Sequence, residues 1–279
     1  MKTLSRLFDL RGRVAVVTGG AGLLGVQHGE ILSQAGAHVV VADVDAAAAE
    51  KAAIRLTKRS GIKALGVGAD IADVDAVLRM VARALSAFKR LDILVNNAAM
   101  TVRGGARGAG NYFAPFETYP LGLWERALAV NLTGAFNCCQ AAGRQMLKQG
   151  QGVIINIASI YGVTGPDQRI YRGSRNPHDP GKPLNTPISY AASKAALLGM
   201  TRYLAAYWAG KGIRVNALSP GGVFDGHGET FVKQYAARTI LGRMAKKDEY
   251  KGAVLFLASD ASSYMTGANL LVDGGWTAW

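Results

Sequence analysis

The chain has 279 residues, 49% of them apolar and 18% charged, which suits a globular protein with a substantial core and excludes a disordered one. No segment approaches the roughly eighteen apolar residues of a membrane helix, and no signal-length apolar run precedes Arg11 and Arg13. The expectation is therefore an unexported, cytoplasmic protein with no membrane partner. The net charge of +13 would attract anions of any kind, yet the basic residues are scattered without the aromatic interleaving that nucleic acid calls for, so a small anionic substrate is the better use for it. The tract RGGARGAG (103–110) looks like an RNA-binding element but is bracketed by apolar sequence, and reads as a loop.

In chain order, β-branched runs alternate with helix-length segments. A strand RVAVV (13–17) leads into the glycine-rich TGGAGLLG (18–25), a helix (24–34) and a second strand HVVVAD (38–43). A helix (46–59), the strand KALGVGAD (63–70), a helix (74–88) and the strand LDILVNN (91–97) follow. After a long connection (100–120) come a helix (123–148) and the strand GVIINIAS (152–159). Cys138 and Cys139, adjacent in that helix, read as reduced and packed rather than as a disulfide or metal site. A second long connection (160–189), a helix (190–209) and the strands IRVNALSP (213–220) and NLLVD (269–273) complete the pattern.

Seven strands with helical crossovers predict an α/β fold: a doubly wound, parallel, Rossmann-type sheet with helices on both faces, in a single domain spanning 1–279. Long connections after the carboxyl ends of such strands carry specificity, so 160–189 is expected to be a substrate loop and 221–245 a lid. An oligomer contact is the alternative use of 100–120 or 160–189.

In TGGAGLLG, Gly19, Gly22 and Gly25 allow the sharp turn and close approach that a pyrophosphate needs, and the helix start around Leu24 attracts its charge. Asp43, closing the second strand, stands at the spacing of an acid that binds the adenosine ribose; its carboxylate would repel a 2′-phosphate, which favours NAD over NADP. The alternative makes Asp43 or Asp45 the cap of the next helix.

Together with Asp70-Ile71, NNAA (96–99), VNLTG (130–134), INIAS (155–159), YAASK (190–194), IRVNALSPGGV (213–223) and MTGANLLVDGG (265–275), these words resemble the short-chain dehydrogenase/reductase family over nearly the whole chain. The resemblance implies that Asp70 and Ile71 line the adenine, the Asn97-Ala98 backbone the ribose, and Pro220, Gly221 and Val223 the nicotinamide. It implies a catalytic tetrad: Tyr190 for proton transfer, Lys194 on the nicotinamide ribose, Ser159 on the reacting oxygen, and Asn131 on the water chain that returns the proton. It further implies a homotetramer, or a homodimer, paired through the helices at 123–148 and 190–209. Two departures stand out: Leu23 takes the place of the family's middle glycine, and the threonine often found after Pro220-Gly221 is missing, with Asp225 nearby.

Tyr190 and Lys194 lie four apart, but so do Tyr207 and Lys211, and spacing alone does not choose between them. Tyr207 falls near a helix end before Gly210. Tyr171 lies nearer the family's usual distance from Ser159, yet its neighbour four residues on is Arg175, in a Gly/Pro-rich stretch unsuited to a helix. Tyr190 opens the helix after the fifth strand and is expected to be the acid-base residue, its phenol made more acidic by the Lys194 ammonium. Asp225, His227 and Glu229 alternate in DGHGE, which reads as a solvated loop, and no metal is expected.

The 160–189 insertion carries Arg169, Arg172 and Arg175, guanidinium groups suited to phosphate or carboxylate. GPDQRIYR (165–172) and RYLAAYWAGKGIRVNALSPGGV (202–223) resemble bacterial oxidoreductases of flagellin modification and surface-sugar synthesis. The expected reaction is hydride exchange between NAD and a secondary alcohol of an anionic sugar derivative: a sugar phosphate, nucleotide sugar or sugar acid. The alternatives are a steroid, acyl thioester or small secondary alcohol as substrate, or a regulatory protein that binds a dinucleotide without turnover.

Overall fold

A computed structural model describes residues 3–100, 109–176, 178–182 and 184–279, so residues 103–108 of the RGGARGAG tract lie outside the described residues. Strands β1 (Val14–Thr18), β2 (His38–Asp43), β3 (Ala64–Gly68), β4 (Ile93–Asn96), β5 (Gly152–Ile157), β6 (Ile213–Pro220) and β7 (Asn269–Val272) form one parallel sheet in the order β3-β2-β1-β4-β5-β6-β7. The helices are α1 (Leu4–Leu7), α2 (Leu23–Gln34), α3 (Ala46–Ser60), α4 (Val74–Phe88), α5 (Leu121–Leu128), α6 (Ala135–Gln149), α7 (Ile188–Tyr207), α8 (Glu229–Ala236) and α9 (Lys251–Ala258).

The inner strands, such as β1 and β5, read as apolar runs because both faces of the sheet are covered there. Within each, the two-residue period of side chains divides the core. Val14, Val16 and Leu94 pack with Met80 of α4, Met146 of α6 and Leu204 of α7, whereas Ala15, Val17 and Ile93 pack with Leu32 of α2, Leu56 of α3 and Leu257 of α9. Strand order reverses between β2 and β4 on either side of β1, which opens a crevice at the carboxyl ends of β1 and β4. Local signals place the helices on this frame. The Asp45 side chain caps α3 by accepting from the Ala48 N–H at 2.9 Å, Asp73 caps α4 from Asp75, and Gly61 ends α3 in the left-handed region at φ 73°.

The helix expected over 123–148 is three elements: α5, a π-helical turn at Ala129–Gly134, and α6. The cause is Asn131, which is buried and turned inward, its amide spent on bonds to other elements. Such wide turns concentrate at functional sites. This one also sets Gly134 against Ile71, where a Cβ would lie 2.6 Å from Ile71 Cγ1. Cys138 and Cys139 are free and buried on α6; burial pushes both thiols up, Cys139 to about 12. Among the described residues, no helix is long and apolar enough to cross a membrane.

Candidate active site

The chain leaves β1 through Gly19, whose φ of 58° belongs to the left-handed region and whose absent side chain lets Ala98 approach; a Cβ there would lie 2.8 Å from Ala98 Cα. The Gly22 N–H donates to the Gly19 carbonyl at 3.1 Å, and Gly22 caps α2. Leu23 therefore takes the first helical position, and the turn closes with its middle glycine one residue earlier than the family's pattern. Gly25 packs against this turn: a Cβ would press on the Gly19 carbonyl and lie 2.7 Å from Gly20 Cα. Leu24, half-buried, packs its side chain into the core under α2. The N–H groups of Leu23, Leu24 and Gly25 open the helix without backbone acceptors among the described residues. A glycine cradle with such donors fits a dinucleotide pyrophosphate.

Neighbouring strands fix the loop. Asn97 Nδ2 donates to the carbonyls of Thr18 at 2.9 Å and Gly19 at 3.1 Å, while Thr18 Oγ1 accepts from the Asn97 and Ala98 N–H groups, each at 3.1 Å. Asp43 is not a helix cap, that role falling to Asp45. Its carboxylate accepts from the Ala21 N–H at 3.1 Å and the Asp45 N–H at 3.2 Å, which leaves lone pairs for ribose hydroxyls beside the glycine loop. Asp70 is exposed and bonded to its own turn through the Ala72 N–H, whereas Ile71 is buried and its carbonyl accepts from Asn137. Pro220 ends β6. Gly221 lies against Asp273 with its carbonyl bonded by the Tyr250 hydroxyl at 3.0 Å, the Gly222 N–H donates to the Tyr235 hydroxyl, and Val223 pairs with Ala245. Two phenols and a strand-like bridge thus pin the start of the 221–245 segment.

At the ends of β5 and α7 the tetrad residues converge. Ser159, buried and extended after β5, lies beside the half-buried Tyr190 phenol and accepts the Tyr161 N–H at 3.2 Å. Lys194, one turn along α7, is buried with Nζ 5.6 Å from the centre of the Tyr190 ring and donates to the Ile157 carbonyl at 2.6 Å. Asn131 reaches from the π-helical turn: its Oδ1 accepts the Met100 N–H at 2.7 Å, and its Nδ2 donates to Ser193 Oγ at 3.1 Å. Ser193 Oγ in turn donates to the Tyr190 carbonyl at 2.9 Å.

One electrostatic expectation is reversed. Burial dominates at Tyr190 and raises its phenol although the neighbouring Ser159 hydroxyl pulls the other way, and Lys194, itself lowered to about 8 by burial, does not bring the phenol down. Sequence spacing captured the proximity of the pair but not the dry surroundings that oppose charge on either member.

Tyr171 is not remote from this centre. It ends a short 3-10 turn at Gln168–Tyr171, and its hydroxyl meets Thr186 Oγ1 at 2.9 Å. Tyr207 is exposed, stacked on Tyr203 at the far end of α7. Of the three arginines expected to bind substrate, Arg169 is committed elsewhere: its guanidinium grips Asp167 at 2.8 and 3.0 Å, and Arg238 binds the same carboxylate at 3.0 Å. That pairing holds the Asp167 carboxyl down at about 2. Arg172 and Arg175 are exposed, and no ion pair among the described residues engages them. His227 Nδ1 accepts the Asp225 N–H at 3.2 Å. Sequence reasoning passed over Ser193, inside YAASK itself, and Tyr161, Thr186 and Tyr235, whose hydroxyls only the folded chain gathers.

A Rossmann-type sheet with a glycine cradle at its switch point and a Tyr/Lys/Ser cluster beside it defines a dinucleotide-dependent oxidoreductase. The pattern of the short chain dehydrogenases matches residues 13–176, and that of the enoyl-(acyl carrier protein) reductases matches residues 182–277. The chain belongs to the short-chain dehydrogenase family. It is 36% identical over 278 residues to the D-threitol dehydrogenase of Mycolicibacterium smegmatis, covering 97% of this chain and 95% of that one. It is likewise 36% identical over 270 residues to the cis-4-hydroxycyclohexanecarboxylate dehydrogenase of Sinomonas cyclohexanicum, covering 95% and 97%. A gluconate 5-dehydrogenase from Burkholderia cenocepacia, solved with NADP and tartrate, is similar in structure with a TM-score of 0.85 at 31% identity, covering 99% and 100%. The protein is an oxidoreductase that acts on alcohols.

Proposed function

We propose that the protein exchanges hydride between NAD and a secondary alcohol of a polyhydroxylated substrate, using Tyr190, Lys194, Ser159 and Asn131. The observation that carries this reading is the convergence of Tyr190 and Ser159 at the start of α7 and the end of β5, with buried Lys194 one helical turn on, its Nζ 5.6 Å from the Tyr190 ring, two strands from the glycine cradle. Ser159 orients the substrate oxygen and Tyr190 exchanges its proton. A bound nicotinamide supplies the partner for the hydride. Lys194 and Asn131 hold the path by which the proton reaches solvent. Because burial keeps the phenol protonated, the resting site is ready to protonate a carbonyl, and oxidation should accelerate toward alkaline pH as Tyr190 becomes able to take a proton. Tyr190→Phe should lower turnover at least about a thousandfold while leaving NADH binding in place; comparable turnover in that variant would refute the assignment.

Asp43 supports NAD over NADP, since a carboxylate with free lone pairs receives ribose hydroxyls and repels a phosphate. Fluorescence titration with NADH and NADPH tests this, and tighter NADPH binding would overturn it. A second reading keeps an anionic sugar derivative, in line with the surface-sugar resemblance, as the ligand of Arg172 and Arg175, the two cations of the insertion left without a carboxylate among the described residues. We read 1–279 as one domain in the cytoplasm. The exposed Phe136 and Leu147 on α6 and Tyr203 and Tyr207 on α7 support assembly into a homotetramer or homodimer through those helices.

A further inference from the structure

Next to the reacting centre lies a set of hydroxyl groups that the proposed proton transfer does not use. Tyr161 follows Ser159 by two residues, and Gly162 presses its turn onto the Lys194 backbone, where a Cβ would lie 2.7 Å from the Lys194 carbonyl. Thr186 stands just before α7 and Tyr190, its backbone bracketed by Gln168, which accepts the Thr186 N–H at 2.9 Å and donates to its carbonyl at 3.4 Å. Tyr171 Oη lies 2.9 Å from Thr186 Oγ1, and the Tyr161 phenol lies beside both.

The three side chains are held rigidly. The Tyr171 ring stacks on Phe231 of α8 at 5.3 Å, the Tyr161 ring meets the edge of Trp276 at 6.4 Å, and Thr186 is buried. Burial keeps both phenols neutral. The Tyr171–Thr186 bond uses one of the three hydroxyl donors, so donors and lone pairs remain in the trio to meet a substrate. Such a trio pairs well with another hydroxyl. It is poorly suited to a carboxylate or phosphate, which would demand several charged donors at once, and the guanidinium groups of Arg169 and Arg238 are turned to the Asp167 carboxylate that they share.

We infer that Tyr161, Tyr171 and Thr186 form a specificity subsite that receives the hydroxyl on the carbon next to the one being oxidised, so that the enzyme selects vicinal diols. The inference rests on the proposed alcohol oxidation at Tyr190 and Ser159. One oxygen of the diol sits on those two groups, and the second faces the trio, whose Tyr161 lies two residues beyond Ser159. A substrate lacking that second hydroxyl leaves the trio buried without its partner, and sites built to pair a substrate hydroxyl discriminate strongly against analogues that lack it.

The test compares kcat/KM for 2,3-butanediol and 2-butanol, which differ by one hydroxyl, in the wild type, Tyr171→Phe and Thr186→Val, with NADH titration confirming that each variant is folded. The wild type should favour the diol about a hundredfold, and each substitution should cut that ratio about tenfold or more. A ratio near one in the wild type, or one that both substitutions leave unchanged, overturns the subsite while alcohol oxidation stands. Oxidation of neither compound by an enzyme that binds NADH would remove the alcohol reading and this inference with it.

Discussion

Ser193 offers the sharpest test of how the site is held. It is wholly buried, and its one oxygen serves two elements, accepting from Asn131 Nδ2 at 3.1 Å and donating to the Tyr190 carbonyl at 2.9 Å. Ser193→Ala leaves a buried amide N–H without an acceptor, which costs about 1–3 kcal/mol. With about 2 kcal/mol and an unfolding entropy of about 0.6 kcal/mol/K for a chain of this length, Tm should fall by about 3 °C. Asn131→Ala removes the donor of the same bond together with the acceptor of the Met100 N–H, so its cost should be at least as large. In the double variant the shared bond is lost only once. Urea unfolding of the four proteins should therefore show a coupling of about 1 kcal/mol. Turnover of Ser193→Ala should fall with NADH affinity retained, because the lost bond orients Tyr190 and does not touch the cradle. Additivity within about 0.5 kcal/mol would refute the claim that Asn131, Ser193 and Tyr190 act as one unit.

Three further outcomes are expected. Gly25→Ala should weaken NADH binding at least about tenfold, since a Cβ 2.7 Å from Gly20 Cα and against the Gly19 carbonyl forces the cradle open; an unchanged Kd by fluorescence would count against the cradle as the pyrophosphate site. His28 is wholly buried on α2, neither ring nitrogen has a partner among the described residues, and burial lowers its pKa to about 4. The unfolded chain takes up this proton below about 6.5 and the folded one only near 4, so stability is full above that window and declines through it as pH falls, by up to about 3 kcal/mol. His28→Leu should flatten this slope in urea unfolding at pH 7 and pH 4.5, and an equally steep slope in the variant would assign the loss elsewhere. Asp43→Asn should narrow the preference for NADH over NADPH by about tenfold, read from the two Kd values; no change would show that the carboxylate does not face the 2′ position.

The alternation of strands and helices was legible because the inner strands, such as β1 and β5, are buried on both faces and read as apolar runs, bounded by residues such as Asp45, Asp73 and Gly61 that cap or break helices locally. The glycines at 19 and 25 were legible for a similar reason: backbone close approach leaves no room for a side chain there. The break at Ala129–Gly134 was not, because VNLTG is compatible with a helix and only the inward turn of Asn131 toward Met100 and Ser193 widens it. Nor was the fate of Arg169, a side chain that suits an anionic ligand until Asp167, two residues away, engages it through Nε and Nη2.

The amino-acid sequence by itself determined the element order, the glycine turn, and the placing of Tyr190 and Lys194 one turn apart, since all of these follow from backbone geometry and local spacing. Tertiary structure alone decided the ionisation of that pair, the partner of Ser193, and the gathering of Tyr161, Tyr171 and Thr186. Burial and contacts between distant segments set those properties, and neither exists until the sheet brings the segments together.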